Sequence, residues 1–327
     1  MTNTAIYVAG MGIVSSLGTG VGETEAFLRR NHPAVAPLRL FPLLQGSPLP
    51  VGQFPGLELQ PFPPRTHQLA LLAAEQATGS SAGIPEAIII GTTTGGIATT
   101  EQLLRTGEQD RNLYRDHGLN SVAVFLARKL GCKGPVLTVS TACSSGVVAI
   151  TMGMAMLKSG KARTVLVGGV DSLSRLTYFG FHSLQLVDRN GCKPLDRDRQ
   201  GMAVAEGAGM LLLSTIPSAQ PIAELLGAGL SCDAYHPAAP HPEGNGAFRA
   251  MENALEDSGL QPHDINYINL HGTGTPDNDL AESKAIRKLF RELPPLSSIK
   301  GASGHSLAAS GAIEAVISCL AVSRNFL

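Results

Sequence analysis

Tryptophan is absent from this 327-residue chain and aromatic residues make up only 5% of it, while glycine numbers 37. A core without large rings has to be filled by Ala, Val, Leu and Ile, with backbones brought close together. A dominant charge sign is missing as well. Lys and Arg number 25 against 26 Asp and Glu, a formal net charge of −1, so no global field favours nucleic acid or an anionic membrane surface. The opening M-T-N-T-A-I-Y-V-A-G has no basic segment followed by a long apolar run, so no signal peptide is read. The apolar run nearest the C-terminus is broken by Glu314 and is expected to be too short to span a bilayer. The five cysteines (Cys132, Cys143, Cys192, Cys232 and Cys319) are odd in number and scattered, with neither zinc-ligand spacing nor a disulfide framework. These absences point to a cytoplasmic globular protein, with no membrane or nucleic-acid partner. A 43% hydrophobic and 16% charged composition is ample for a sizeable core, in one large domain or two ordinary ones.

Short β-branched runs alternate with Ala-rich stretches. Strands are expected at Ile6–Ala9, Ala87–Ile90, Val136–Val139, Thr164–Val167, Met210–Leu213 and Tyr267–Leu270. Helices are expected at Thr66–Thr78, Asn120–Leu130, Ser144–Ser159, Gly246–Ser258, Asp279–Arg291 and Leu307–Val322. Apolar strands between helices indicate an α/β protein whose sheets are buried on both faces. Residues 33–64 are Pro-rich and aperiodic, which suggests an irregular surface excursion or a cap. A faint repeat is visible. Val136–Val139 runs into S-T-A-C-S-S-G and an apolar helix, and Leu296–Ile299 runs into K-G-A-S-G-H-S-L-A-A-S-G and another.

Three short runs of small residues carry the chemistry. Cys143 lies in S-T-A-C-S-S-G, His271 opens H-G-T-G-T-P, and His305 lies in G-A-S-G-H-S. A lone cysteine is most often core packing. This one sits between a strand and a helix, where the positive helix end favours thiolate and first-turn N–H groups can receive an oxyanion. Two histidines in Gly/Ser/Thr loops can present N–H donors to a carbonyl oxygen, so the set suits carbon–carbon bond formation from a thioester. Thr273 and Thr275 offer hydroxyls along an expected open groove, suited to the amides of an extended pantetheine arm. Glu314, nine residues past His305, can face back toward Lys300 and hold the His305 loop; the bland alternative is a surface ion pair of little consequence.

Asp196, Arg197 and Asp198 in P-L-D-R-D-R-Q-G are expected to form a structural network beneath the site. G-T-T-T-G-G (Gly91–Gly96) follows a strand but lacks the G-K-[ST] of a phosphate loop. V-A-G-M-G-I-V-S-S (Val8–Ser16) is half a dinucleotide fingerprint, with Ser15 where the third glycine belongs. Neither supports nucleotide binding, and no G-x-S-x-G serine-hydrolase elbow is present.

Taken together, these motifs resemble the β-ketoacyl-acyl-carrier-protein synthases of the elongating Cys–His–His type, within the thiolase superfamily. The resemblance runs from V-A-G-M-G-I-V-S-S-L-G through V-G-G-V-D-S, E-G-A-G, D-A-Y-H and H-G-T-G-T-P-D-N-D to K-G-A-S-G-H. It implies a thiolase-like α/β fold, with duplicated halves in a layered α/β/α/β/α arrangement, divided into residues 1–218 with the nucleophile and 219–327 with both histidines. It further implies decarboxylating condensation of an acyl thioester with malonyl-acyl carrier protein, in fatty-acid or polyketide synthesis. Cys143 would carry the acyl chain, His271 and His305 would stabilise the enolate, and Lys300 and Glu314 would position the histidines. No cofactor or metal is implied. The partners implied are acyl carrier protein and a second ketosynthase chain, in a homodimer or a heterodimer.

Members of that family continue past the equivalent of Leu327 through a closing strand pair and a Gly-rich turn that supplies a second oxyanion donor. A shortened C-terminal half is therefore expected, and loss of one such donor costs about 10²–10³ in rate. That expectation keeps a second reading open, a catalytically impaired partner subunit of a ketosynthase dimer. A Cys–His hydrolase accounts for Cys143 and His271 but leaves His305 and Lys300 without a purpose.

Overall fold

The computed structural model describes residues 4–325 except 44–45, 59, 61, 80–82, 218–219 and 237–238. The expected division at 218 and 219 lies outside the described residues. In chain order the elements begin β1 (Tyr7–Ser15), β2 (Gly18–Thr19), α1 (Gly20–Arg29), β3 (Ala36–Pro37), β4 (Pro50–Gly52) and α2 (Arg65–Thr78). They continue with β5 (Ala87–Gly91), α3 (Ile97–Thr106), α4 (Asn120–Leu130), β6 (Val136–Val139), α5 (Ser145–Lys158), β7 (Thr164–Asp171) and α6 (Arg175–Ser183). Then come β8 (Val204–Ala205), β9 (Gly207–Ser214), β10 (Ala223–Glu224), α7 (Asn245–Ser258) and β11 (Ile268–Asn269). The last are α8 (Pro276–Leu289), β12 (Leu296–Ser297), α9 (Lys300–Ser303) and α10 (Ser310–Arg324).

The large sheet has the order β10–β1–β9–β7–β5–β6, with β2 appended to β1. β6, β5 and β7 run parallel, while β9 is antiparallel to both β7 and β1. Helices α2 and α4 cover one face and α5 and α10 the other, so the central strands are apolar on both sides. Beyond α10 lies a small parallel pair, β11 and β12, packed on α7 and α8 through Leu270, Met251, Ile286 and Phe290. Ile299, just past β12, joins Ile313, Val316 and Ile317 of α10 in the main core. The order of layers is thus helix, sheet, helix, sheet, helix.

A row of glycines explains how the middle helices reach the sheet. Gly91, Gly169 and Gly209 are partners in register across β5, β7 and β9. A Cβ at Gly91 would lie 2.5 Å from the Ser145 carbonyl, one at Gly169 2.3 Å from the Ala308 oxygen, and one at Gly209 2.5 Å from the Ala312 carbonyl carbon. Bare backbone at these three points lets the starts of α5 and α10 rest directly on the strands. Gly10 and Gly12 do the same for α2, since a Cβ there would meet the carbonyl oxygens of Ala77 and Ala73 at 1.9 and 2.0 Å. Close helix packing accounts for that V-A-G-M-G-I motif.

The Pro-rich stretch is a packed cap. Strands β3, β4 and β8 form a three-stranded sheet, and Leu38, Leu49 and Val51 share a core with Leu173, Tyr178 and Val204. Arg65, at the start of α2, forms a buried 2.6 Å ion pair with Glu206 and also donates to the carbonyls of Leu57 and Phe54. The stretch Leu307–Arg324 corrects one expectation. It is long and apolar enough to cross a membrane by composition, yet 67% of it is buried inside the fold, where it serves as a core helix.

Replacing Gly169 by Ala forces α10 away from the sheet. Overpacking of this kind costs about 1–3 kcal/mol, so the urea midpoint of Gly169→Ala is expected to fall; an unchanged midpoint would show that the helix start has room.

Candidate active site

Cys143 sits where β6 turns into α5. Ala142 ahead of it adopts φ +54°, a left-handed conformation that costs a non-glycine residue on the order of 1–2 kcal/mol. Hydroxyls hold the turn: Ser145 Oγ accepts from Thr141 N at 2.8 Å and donates to Ala142 O at 2.6 Å, while Ser144 Oγ donates to Thr141 O at 2.7 Å. The thiol is thereby lifted to the helix start.

His271 follows β11 in a loop clamped from α8. Its own N–H and that of Gly272 donate to the Glu282 carboxylate at 2.7 and 2.8 Å. Thr273 N and Gly274 N donate to Asp279 Oδ1 at 3.0 and 3.2 Å. Asp279 and Glu282 stand three residues apart, hence on one helix face, which suits them to grip successive amides of one loop. Lys300 Nζ donates to His271 Nδ1 at 3.3 Å and to the His271 carbonyl, and it pairs with Glu314. At 1% exposure Lys300 is a buried cation.

His305 is anchored by its backbone to β8, with His305 N donating to Ala203 O at 2.7 Å and Ala205 N donating to His305 O at 2.8 Å. Its Nδ1 accepts from Leu307 N at 3.1 Å and lies 2.9 Å from Ser310 Oγ. The two imidazoles are edge-on, with centroids 5.2 Å apart and planes at 89°. Cys143 Sγ and one ring nitrogen of each histidine lie within 4.8 Å of one another. With both Nδ1 atoms serving as acceptors, the proton of each neutral ring is on Nε2.

The β-ketoacyl synthase N-terminal domain family matches residues 65–219 of this chain, and the β-ketoacyl synthase C-terminal domain family matches residues 222–327. A ketosynthase (ApeO) in complex with its chain length factor (ApeC) from Xenorhabdus doucetiae is 35% identical, with a TM-score of 0.87 over 99% of this chain and 85% of that one. The chain belongs to the β-ketoacyl synthase family. The ishigamide ketosynthase/chain length factor is 32% identical, with a TM-score of 0.90, covering 99% of this chain and 87% of that one. The 3-oxoacyl-[acyl-carrier-protein] synthase 2 of Synechocystis sp. is 35% identical over 266 residues, which make up 73% of this chain but 62% of that protein. The ketosynthase neighbours place the layered architecture in the thiolase fold.

In this chain, burial holds both histidines well below their ordinary range. The Lys300 ammonium adds to the effect at each ring, and His305 adds to it at His271. The rings are therefore neutral N–H donors at physiological pH. The thiol corrects a sequence-based expectation. Burial pushes Cys143 up to about 11, with Lys300 pulling it down and Asp171 pushing it up. Desolvation is the largest of these effects and favours the thiol form at rest. Cys143, His271 and His305 also match metal ligands by atom type and spacing.

Five of the site residues read from the sequence therefore meet: Cys143, His271, Lys300, His305 and Glu314. Thr273 and Thr275 do not line an open groove. They are 5% and 9% exposed, and their hydroxyls bond each other at 2.8 Å, because Asp279 draws the loop inward. Asp196, Arg197 and Asp198 are exposed. The network expected of them is built instead by Asp279, which accepts from Leu195 N at 2.7 Å and lies 3.6 Å from Arg199. Asp279 and Glu282 were legible as carboxylates spaced i, i+3 just past the histidine loop. Ser310 carried no signal.

Alkylation of Cys143 by iodoacetamide is expected to rise without a plateau from about pH 7 to about pH 10. Lys300→Met, which removes the favourable cation, should slow it further at any given pH. A plateau near neutrality in a pH-rate profile would mean a stable resting thiolate and would overturn the assignment.

Proposed function

We propose that this chain carries out decarboxylating Claisen condensation, joining an acyl group to the two-carbon unit of malonyl-acyl carrier protein to give 3-oxoacyl-acyl carrier protein. The observation that carries this reading is the convergence of one thiol with two neutral imidazoles whose Nδ1 atoms each face a donor, which leaves Nε2–H for substrate. Sulfur of Cys143 attacks the acyl thioester, and the proton it loses ends on the departing carrier thiolate. The malonyl thioester oxygen then accepts hydrogen bonds from His271 and His305 as carbon dioxide leaves. The enolate attacks acyl-Cys143, the carbon–sulfur bond breaks, and the released thiolate takes a proton from water. A histidinium would protonate the enolate carbon, so neutral donors suit the step better.

Lys300 and Glu314 act in this scheme as positioning residues. Lys300 fixes the His271 ring by Nδ1 and carbonyl together, and Glu314 balances its charge. Thr273 and Thr275 remain the proposed contacts of the pantetheine arm, which would have to open the Thr273–Thr275 pair and the loop around it to reach their hydroxyls. Acyl carrier protein is the proposed partner in each half-reaction. A second ketosynthase-family chain is the proposed dimer mate, as in the ketosynthase–chain length factor complexes. The cytoplasm is the proposed compartment.

Intact-mass measurement with an acyl-carrier thioester, then with malonyl-acyl carrier protein, tests the reading. Wild type is expected to form an acyl adduct that converts to 3-oxoacyl-carrier. Cys143→Ala should form none. His305→Ala should still acylate but lose malonyl decarboxylation by on the order of 10²-fold or more. Equal loss of both half-reactions in His305→Ala would contradict the division of roles, and a folded wild type that never acylates would favour the impaired-partner reading.

A further inference from the structure

Asp171, the last residue of β7, is fully buried, and six neutral donors converge on its carboxylate. Oδ1 accepts from Thr92 Oγ1 at 2.8 Å, Thr93 N at 2.9 Å, Thr94 N at 2.8 Å and Thr94 Oγ1 at 2.8 Å. Oδ2 accepts from Thr93 Oγ1 at 2.6 Å and from Ala308 N at 2.9 Å. Five of these bonds stay within the G-T-T-T-G-G loop. The sixth reaches the other half of the chain, three residues past His305.

That sixth bond has a consequence for the imidazole. Ala308 N–H points at Asp171, and the amide before it, Leu307 N–H, points at His305 Nδ1 at 3.1 Å. Leu307 is held at φ +53°, a conformation that a branched side chain does not adopt unaided. Two successive N–H groups are thus aimed at two acceptors, and an otherwise unfavourable backbone joins them.

We propose that Asp171 is a positioning residue that sets the tautomer of His305. By holding the Ala308 amide it keeps Leu307 left-handed, so that Leu307 N–H occupies Nδ1 and the ring proton stays on Nε2, toward Cys143. Which imidazole nitrogen carries the proton is decided by the partner of the other. Ser310 Oγ, 2.9 Å from the same Nδ1, cannot decide it, because a hydroxyl donates or accepts as required. The catalytic consequence rests on the condensation reading; the tautomer does not.

An asparagine cannot replace this carboxylate. If its oxygen takes the four-donor position, its NH₂ confronts Ala308 N–H donor to donor, and the peptide must turn away. The test is ¹⁵N NMR of histidine-labelled full-length chain, with the two half-reactions measured on the same samples. Wild type and Ser310→Ala are expected to show His305 protonated at Nε2 alone. Asp171→Asn should show a mixture of tautomers, with malonyl decarboxylation down by on the order of 10–100-fold relative to acyl transfer by the same variant, since loss of the Asp171 charge also acts on Cys143.

A wild-type His305 protonated at Nδ1 overturns the proposal, and so does Asp171→Asn with Nε2–H intact. A tautomer change in Ser310→Ala alone would reassign the role to Ser310. Should Asp171→Asn not fold, Asp171→Glu displaces the same oxygens by a methylene and is read in the same way. Absence of condensation in the wild type would sink the condensation reading while leaving the tautomer result standing.

Discussion

Three glycines in one row across the large sheet are the constraint on which the rest of the structure depends. Gly91, Gly169 and Gly209 leave bare backbone where Ser145, Ala308 and Ala312 come down from the middle helix layer. Cys143 lies two residues before one of those contacts and His305 three residues before the next. The distance from sulfur to imidazole is therefore set by how closely two helix starts can approach the same strands. A methyl group at any of the three points would move a reacting atom together with the helix. Effective positioning fails over about 1 Å, so packing and chemistry are coupled here through the smallest side chain.

The second organising element is charge held away from water. Lys300 is bonded to Glu314, to the His271 carbonyl and to His271 Nδ1, and its field reaches both histidines and the cysteine. A buried ion pair is a weak source of stability, because desolvation offsets most of the attraction. Its retention makes sense as a device for orientation. It keeps one imidazole proton on the substrate side and opposes protonation of both rings. Asp171 and the Arg65–Glu206 pair follow the same logic elsewhere, with donors or acceptors from more than one segment around each of these buried charges. Their shared effect is to tie together segments that are distant in sequence.

Much of the secondary structure was legible, and the errors share a cause. Each expected strand and helix overlaps an observed element, but β1 and β9 run farther than Ile6–Ala9 and Met210–Leu213. Glycines interrupt the β-branched pattern in both, and several of them are contact points for helices. Helices α1, α3 and α6 went unanticipated because each is short and begins among Gly, Thr or Ser. In α6 the start signal is a Ser174–Thr177 capping box rather than the usual glutamate form. The Pro-rich stretch was legible as a surface excursion or a cap but its strands were not, because they are two or three residues long and are stabilised by Tyr178 and Val204 from far along the chain.

Residue chemistry and local spacing, visible in the sequence alone, determined the class of fold and the cast of the site. A thiol at a helix start, two histidines in glycine loops, and a lysine fourteen residues before a glutamate are local facts, and local facts survive in a one-dimensional reading. Protonation and contact were decided only in three dimensions. That Cys143 rests as a thiol, that Thr273 bonds Thr275, and that Asp171 reaches across to Ala308 depend on burial and on which loops meet. Desolvation and hydrogen-bond partnership are properties of a neighbourhood, and folding assembles that neighbourhood from residues far apart along the chain.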